Sequence, residues 1–285
     1  MVPCLPSEDE RGSAFARRDR PVGLDRLQAG AEAECGSLYV ATGERFVRRA
    51  ERSAQSLRQV LPGVPIALAS DREKPGAFDL GLRVPAGDGY RAKILAMRET
   101  PFERTLFLDA DTYVVGDLAC VFELLEHFDM ALAHAPVHVT LPLDDVPDAY
   151  PEFNTGVIAF RRSPSVRAVL DEWLLEYDRL QPFDPPSKDQ PSFRRVSFRA
   201  RGLRVATLTP EFNLRFAMTG AINQRVRILH GGGDEAYYRL VARALGQAIE
   251  PGELRVLAGR KLFDGRGNQI GDFRKRKQPR RSPAS

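Results

Sequence analysis

Apolar residues form short runs and helical repeats along the first half of the chain. Four runs predict short buried strands, at residues 37–42, 64–70, 80–86 and 105–108. Between the first two runs, apolar side chains within 47–61 recur at steps of three and four, which predicts an amphipathic helix. The proline and glycine at 62–63 end that helix. A second helix is predicted at 90–98.

The second half of the chain continues this alternation less regularly. The pattern predicts strands or strand ends at 153–160, 205–213 and 226–233, and helices at 164–180 and 234–249. The single tryptophan, Trp173, falls on the apolar face of one helix and is predicted to pack in the core. Strands that alternate with helices at this spacing predict an α/β protein. Its sheet is expected to be mostly parallel and Rossmann-like, with helices on both faces.

Three parts are expected along the 285 residues. Residues 1–36 lack a clear pattern and are predicted to form a flexible arm, 37–250 to form one α/β domain, and 251–285 to form a C-terminal extension. The net charge of +4 is concentrated in 272–285, which holds six basic residues and one acidic residue. This tail is predicted to be disordered. The rest of the chain is nearly neutral, which argues against a nucleic-acid partner. The basic tail could still make weak contact with an anionic membrane.

The cysteines and the apolar runs indicate the compartment. Cys4, Cys35 and Cys120 are odd in number and far apart, so neither a disulfide framework nor a paired-cysteine metal site is predicted. A reducing cytoplasm fits this usage. The chain shows no apolar run of transmembrane length and no secretory signal pattern. We expect a cytoplasmic location, with peripheral contact at the inner membrane face as an extension of it.

Two carboxylates follow the fourth predicted strand, in the sequence TLFLDADTYVVGDL at 105–118. Asp109 and Asp111 are two residues apart, so in extended backbone they project to the same side and can converge. Adjacent buried anions repel each other, and a divalent cation between them removes that repulsion. A solvated turn is the alternative, but the apolar strands on both sides favour burial and therefore a metal site.

A histidine late in the chain is the candidate third ligand for this metal. His230 follows an apolar strand and precedes three glycines, which let backbone or phosphate approach closely. An imidazole ligand favours Mn²⁺, although Mg²⁺ is also compatible with two carboxylates. From residue type alone, a structural histidine with satisfied hydrogen bonds is the alternative.

The order of these motifs resembles the GT-A glycosyltransferases. Lys93 lies sixteen residues before Asp109, the first aspartate of LDAD, and FNTG, DQ and a late HG follow in that order. The likeness is greatest to glycosyltransferase family 8, the glycogenin and lipooligosaccharide galactosyltransferase type, and it spans about residues 37–235. It implies a GT-A fold and metal-dependent transfer of a hexose from a nucleoside diphosphate sugar, foremost a UDP-sugar. It also implies retention of the anomeric configuration.

The resemblance assigns roles around the metal. Asp109 and Asp111 match the pair that holds Mn²⁺ against the diphosphate, and Ala110 lies between them in the donor site. His230 matches the late metal-ligating histidine. Lys93 matches the basic residue that contacts the phosphate and sugar of the donor, a role that its ammonium group suits. Without the resemblance, a solvent-exposed helix lysine is the simpler interpretation.

The resemblance also assigns the two ends of the donor. Thr42 matches the start of the nucleotide-base pocket, and Phe46 either stacks near the base or packs in the core. Asn154 of FNTG matches a residue near the donor sugar. Asp189 would bind the sugar hydroxyls, and Gln190 would lie on the face where a retaining enzyme reacts.

Other functions remain open from the sequence. A sugar nucleotidylyltransferase also has an α/β nucleotide-binding layout, but it needs a glycine-rich basic loop after the first strand, and ATGERF has one glycine. A non-catalytic nucleotide-sugar-binding protein would have a degenerate site, whereas DAD, DQ and HG are all present. The acceptor (glycan, lipid or protein) is not specified by the sequence. The long loop at 134–152 is expected to contribute to its choice.

Overall fold

A computed structural model describes most of the chain between residues 26 and 273. The described residues are 26–27, 33–136, 141–181, 188–246 and 253–273. Most of the predicted arm and nearly all of the predicted basic tail lie outside these residues. Parts of the loops at 134–152 and 181–191, and the end of the helix predicted at 234–249, also lie outside them.

The described elements follow the predicted alternation of strands and helices. The strands are β1 (Arg26–Leu27), β2 (Ala33–Val40), β3 (Ile66–Ser70), β4 (Leu80–Arg83), β5 (Phe102–Leu108), β6 (Thr112–Val114), β7 (Met130–His134), β8 (Phe153–Arg161), β9 (Val205–Leu208), β10 (Gly220–Ile222), β11 (Ile228–His230), β12 (Arg255–Ala258), β13 (Lys261–Asp264) and β14 (Gln269–Asp272). The helices are α1 (Glu44–Val60), α2 (Gly89–Arg98), α3 (Ala119–His127), α4 (Pro164–Leu180), α5 (Gln190–Arg199) and α6 (Glu235–Gly246).

The main sheet has the strand order β1-β4-β3-β2-β5-β8-β7-β9. The strands β4, β3, β2 and β5 are parallel to one another, and β7 is parallel to β9. Only β8 and the two-residue β1 run antiparallel to their neighbours in this sheet. This topology confirms the predicted α/β architecture with a mostly parallel sheet.

Helices cover both faces of the main sheet, as predicted. One apolar cluster joins the sheet to α2, α4 and α5, and a second joins it to α1 and α3. The helix α4 begins where its sequence indicates, because the hydroxyl of Ser163 accepts a hydrogen bond from the Val166 backbone N–H. Trp173 on α4 is fully buried in the first cluster, which confirms its predicted packing role.

The first strand begins earlier than its sequence pattern predicts. The strand β2 begins at Ala33, so residues 33–36 of the predicted arm belong to the sheet. Gly36 makes this possible because a Cβ there would lie 2.4 Å from the Phe102 ring on β5. The polar and small residues of AECG hide this extension from a search for apolar runs.

The C-terminal residues form a second, four-stranded antiparallel sheet that the sequence pattern does not predict. Its strand order is β10-β12-β13-β14. Together with α6 it encloses a third apolar cluster, which includes Leu257, Leu262 and Phe273. Phe273 is buried, so the first two residues of the predicted tail belong to the fold. The strands are only three or four residues long and three of them contain charged residues, which explains why their pattern is weak.

No helix among the described residues is long and apolar enough to cross a membrane. Cys35 and Cys120 are both free thiols, and Cys4 lies outside the described residues.

A buried carboxylate joins the ends of three neighbouring strands at the β9 edge of the main sheet. Asp129, which immediately precedes β7, is 2% exposed. Its Oδ1 accepts a hydrogen bond of 2.8 Å from Arg161 Nε, and its Oδ2 accepts one of 2.9 Å from the Arg204 backbone N–H. Burial alone would raise the pKa of Asp129, but Arg204 and Arg161 outweigh burial and hold the pKa at about 2.

We expect Asp129→Asn to lower the free energy of unfolding by about 2 kcal/mol at pH 7, since each pKa unit corresponds to about 1.4 kcal/mol. The folded-state pKa lies below the unfolded value of 3.8. The contribution of Asp129 is therefore complete above about pH 4 and disappears as the pH falls towards 2. Denaturant unfolding at several pH values measures it.

The matched control is Asp178→Asn, which removes a carboxylate that is 42% exposed and pairs with Arg91 at 3.0 Å. This variant should lose less than about 0.5 kcal/mol, because exposed ion pairs contribute little. Equal losses in the two variants, or a loss in Asp129→Asn that does not change with pH, would contradict the assignment.

Candidate active site

The two carboxylates of the DAD sequence lie in the tight connection between β5 and β6. The backbone N–H of Asp109 donates to the Gly156 carbonyl at 2.8 Å. The backbone N–H and the hydroxyl of Thr112 both donate to the Asp109 carbonyl, at 3.1 and 2.8 Å. These bonds fix the turn, so the carboxylates of Asp109 and Asp111 project into the same space.

The pairing of β6 with β11 brings His230 to these carboxylates, because His230 lies opposite Thr112 in the antiparallel register. His230 Nε2 is 3.3 Å from Asp111 Oδ1 and 3.8 Å from Asp109 Oδ2. One ligand atom from each of the three residues lies within 4.8 Å of the others. Two carboxylates and an imidazole suit Mn²⁺ or Mg²⁺, so this group could bind a metal.

The last residue of FNTG makes room for this arrangement. A Cβ at Gly156 would lie 2.1 Å from His230 Cε1 and 2.7 Å from Asp109 Oδ2. No side chain fits there without displacing both groups. The glycine is therefore required by the close approach of β8 to the histidine ring, and its backbone dihedrals do not demand it.

Lys93 on α2 connects the carboxylate pair to the DQ sequence. Its Nζ lies 2.7 Å from Asp189 Oδ2 and 3.6 Å from Asp109 Oδ1. The lysine is 3% exposed, so the interpretation as a surface lysine is wrong. Burial alone would lower the pKa of Lys93, but the charges of Asp109 and Asp189 outweigh burial and raise it. Burial also raises the pKa of Asp109, despite the opposing charge of Lys93.

Asp189 is held in place by residues from two elements. The hydroxyl of Thr155 on β8 donates to Asp189 Oδ2 at 2.9 Å. The indole Nε1 of Trp173 donates to the Asp189 carbonyl at 3.1 Å. The packing tryptophan therefore also positions a predicted site residue, a role that its location on an apolar helix face does not indicate.

A continuous chain of amide hydrogen bonds leads from β8 to the histidine ring. Gln190 Nε2 donates to Glu152 Oε1 at 2.6 Å, and Asn154 Nδ2 donates to Gln190 Oε1 at 3.2 Å. Asn213 Nδ2 donates to Asn154 Oδ1 at 2.9 Å, and Asn213 Oδ1 lies 2.7 Å from His230 Nδ1. Each amide has a partner at both ends, so its orientation is fixed.

Two cavities meet at Asp109. We call the first the α1 cavity; it has a volume of about 390 Å³, and its lining includes Thr42, Phe46, Lys93, Ala110 and Asp111. We call the second the α5 cavity; it has a volume of about 190 Å³, and its lining includes Asn154, Asp189, Gln190, Arg215 and His230. Asp109 and Tyr90 line both. A larger cavity between α2 and α4, of about 460 Å³, contains none of the predicted site residues.

The structure decides between the two interpretations of Phe46. Its side chain is 47% exposed and lines the α1 cavity, so the alternative of a core residue is wrong. The guanidinium groups of Arg45 and Arg49 lie 5.9 and 5.6 Å from its ring centroid. The exposed ring is therefore available for stacking.

Sequence reasoning missed Glu152, Asn213 and Arg215. Their side chains reach the site only through contacts with residues distant in the chain, and no local pattern marks them.

No protein-family model matches the sequence, and no curated protein matches it. Among solved structures, the galactosyltransferase LgtC in complex with donor and acceptor sugar analogs aligns with a TM-score of 0.51 and 12% sequence identity. The alignment covers 70% of this chain and 87% of LgtC. This likeness confirms the predicted GT-A fold.

Two further structures align with lower scores. The glycosyltransferase GlyE of Streptococcus pneumoniae gives a TM-score of 0.49 and 16% identity, over 65% of this chain and 48% of GlyE. Mouse xyloside xylosyltransferase 1 gives a TM-score of 0.48 and 14% identity, over 70% of this chain and 98% of that protein.

We expect Gly156→Ala to weaken Mn²⁺ binding by roughly tenfold or more, because the added methyl group displaces His230 and Asp109 from their common point. The variant should also unfold at a lower temperature, since the clash lies in a packed strand. Titration of Mn²⁺ followed by electron paramagnetic resonance measures the affinity.

Gly76→Ala is the matched control, because a Cβ at Gly76 meets no atom within 4 Å. It should leave both the Mn²⁺ affinity and the unfolding temperature unchanged. Normal Mn²⁺ binding by Gly156→Ala would show that the three ligands do not form the metal site.

Proposed function

We propose that this protein is a metal-dependent glycosyltransferase that transfers a hexose from a nucleoside diphosphate sugar, foremost a UDP-sugar, to an acceptor. The observation that carries the proposal is the position of the Asp109, Asp111 and His230 group at the junction of two cavities. A sugar nucleotide has the same layout, since a diphosphate joins two rings of different chemistry.

The α1 cavity fits the nucleoside. Thr42 lies two residues after the end of β2, at the carboxyl end where α/β sheets bind their ligands. Phe46 offers a face on which a base can stack, and Arg49 lines the same cavity. We assign the base and ribose to this side.

The α5 cavity fits the sugar. Asn154, Asp189 and Gln190 present amide and carboxylate groups there, which are the groups that bind sugar hydroxyls. Gln190 is held at both ends of its amide by Glu152 and Asn154, so it has a fixed orientation. We also propose that the anomeric configuration of the sugar is retained, on the basis of the sequence resemblance.

The diphosphate lies between the two cavities. Asp109, Asp111 and His230 would hold Mn²⁺ or Mg²⁺ there, and the cation would offset charge on the departing nucleoside diphosphate. Lys93 holds Asp109 and Asp189 together through its buried ammonium group. It therefore couples the position of the metal carboxylate to the position of the sugar-binding carboxylate.

The acceptor is proposed to approach past the loop at 134–152. Its first residues line the α5 cavity at Ala135 and Pro136. Further along, Arg194 on α5 donates to the carbonyls of Tyr150 and Pro147, each at 2.9 Å. The loop is thereby fastened to the helix that begins with Gln190. The cytoplasmic location and contact between the basic tail and an anionic membrane remain part of the proposal.

The test is hydrolysis of a panel of UDP- and GDP-sugars without acceptor, followed as release of nucleoside diphosphate with Mn²⁺, Mg²⁺ or EDTA. We expect slow release of nucleoside diphosphate from one of the donors, and we expect this release to require the metal. Asp111→Asn should reduce it by roughly 100-fold or more, because the variant loses a ligand charge in the site. Asp178→Asn, which changes an exposed carboxylate that lines neither cavity, should retain full release.

Binding separates the alternatives when no donor is hydrolysed. Calorimetric binding of UDP that depends on Mn²⁺ and is lost in Asp111→Asn would support a nucleotide-sugar-binding protein. Release of pyrophosphate from a nucleoside triphosphate and a sugar phosphate would support a nucleotidylyltransferase. Absence of all nucleotide binding would contradict the proposal.

A further inference from the structure

An arginine contacts the nitrogen of His230 that faces the metal carboxylates. Residues 213–215 run beside β11, with the Leu214 N–H donating to the Ile228 carbonyl and the His230 N–H donating to the Leu214 carbonyl. Leu214 is buried, and its two neighbours project to the other side of the segment. Asn213 Oδ1 lies 2.7 Å from His230 Nδ1, and Arg215 Nη1 lies 3.1 Å from His230 Nε2.

The polarity of these contacts follows from the chemistry of the partners. A guanidinium group only donates, so His230 Nε2 accepts and the ring proton is on Nδ1, which donates to Asn213 Oδ1. Asn213 then directs its Nδ2 to Asn154 Oδ1, which also accepts from the Gly156 N–H at 3.0 Å. Because a backbone N–H can only donate, the Gly156 N–H independently identifies the Asn154 atom as the accepting oxygen, and so Asn213 must donate to it through Nδ2. The lone pair of Nε2 thus faces the carboxylates, but Arg215 already uses it.

Arg215 lacks the close carboxylate partners that Lys93 has. Lys93 lies within ion-pair distance of Asp109 and Asp189, whereas Arg215 forms no such close pair with a carboxylate of the described residues and acts on Asp111 only from a longer distance. Arg215 is half-buried and lines the α5 cavity beside Asp109. It therefore places a positive charge and several N–H donors at the point where the metal and the diphosphate would meet.

A metal ion and Arg215 cannot both use the lone pair of His230 Nε2. The arginine must move away when a cation binds, and it then needs a new acceptor near the same place. A diphosphate supplies phosphate oxygens that match the planar fork of a guanidinium group.

We propose that Arg215, whose guanidinium group contacts His230 Nε2, is a ligand of the donor diphosphate. This inference rests on the proposed function, because the diphosphate is that of the donor. A ligand role of Arg215 has one consequence that the metal ligands alone do not produce. When the metal binds alone, it displaces Arg215 from His230 and is repelled by the positive charge of the arginine. When a nucleoside diphosphate binds as well, its phosphate oxygens accept hydrogen bonds from the displaced guanidinium group. The two ligands therefore bind cooperatively.

The experiment compares wild type, Arg215→Gln and Arg215→Lys in binding, without turnover. Mn²⁺ affinity is measured by electron paramagnetic resonance, and UDP and uridine affinities are measured by calorimetry with Mn²⁺ present. We expect Arg215→Gln to bind Mn²⁺ alone several-fold more tightly and to bind UDP about tenfold or more weakly. Arg215→Lys should lie between, because it keeps the charge and loses the fork. Uridine, which lacks phosphate, should bind all three alike.

Arg225→Gln is the matched control, since Arg225 is exposed on the same part of the chain. It should match wild type in every measurement, and thermal unfolding shows that all variants are folded. Unchanged Mn²⁺ and UDP affinities in Arg215→Gln, with Mn²⁺-dependent UDP binding by wild type, would overturn the role of Arg215 and leave the proposed function standing. Failure of wild type to bind any nucleoside diphosphate would overturn both.

Discussion

The pairing of β6 with β11 is the contact on which the candidate site depends. It places His230 opposite Thr112, and so beside the two carboxylates that precede β6. The pairing is only three residues long, but two further hydrogen bonds reinforce it. The Gly231 N–H and the Tyr238 hydroxyl both donate to the Asp111 carbonyl, at 3.0 and 2.9 Å. The DAD turn is therefore bound to the chain on either side of the histidine.

Charge balance explains the rest of the arrangement. Three carboxylates lie close together at the carboxyl ends of the central strands, and burial of such a group is costly unless positive charge accompanies it. Lys93 offsets Asp109 and Asp189 permanently, since its buried ammonium group lies between them. Asp111 forms no salt bridge with a lysine or arginine among the described residues; its close partner is His230. We propose that the nearby Arg215 guanidinium moves when a metal binds, so the site would combine one fixed positive charge, on Lys93, with a second one that can be exchanged.

Local patterns suffice to predict the framework and the two carboxylates of the candidate site. Asp109 and Asp111 stand out because a buried strand and a two-residue spacing are features of adjacent residues, and the alternation of strands and helices predicts the sheet. Asn154 and Gln190 follow only from the family resemblance. The segment around Leu214 and the small C-terminal sheet were not predicted, because their contacts join residues far apart in sequence and their own patterns are weak.

The third apolar cluster has a consequence for how the protein is made. It joins Tyr113, next to the DAD turn, to Tyr238 and to Phe273 near the end of the described chain. During synthesis, the residues of the main sheet emerge from the ribosome well before strands β12, β13 and β14. The nascent chain can therefore form the α1 cavity before Phe273 is available to complete the packing behind His230. Such long-range contacts are slow to form, so the proposed metal site should become complete only after the main sheet has folded.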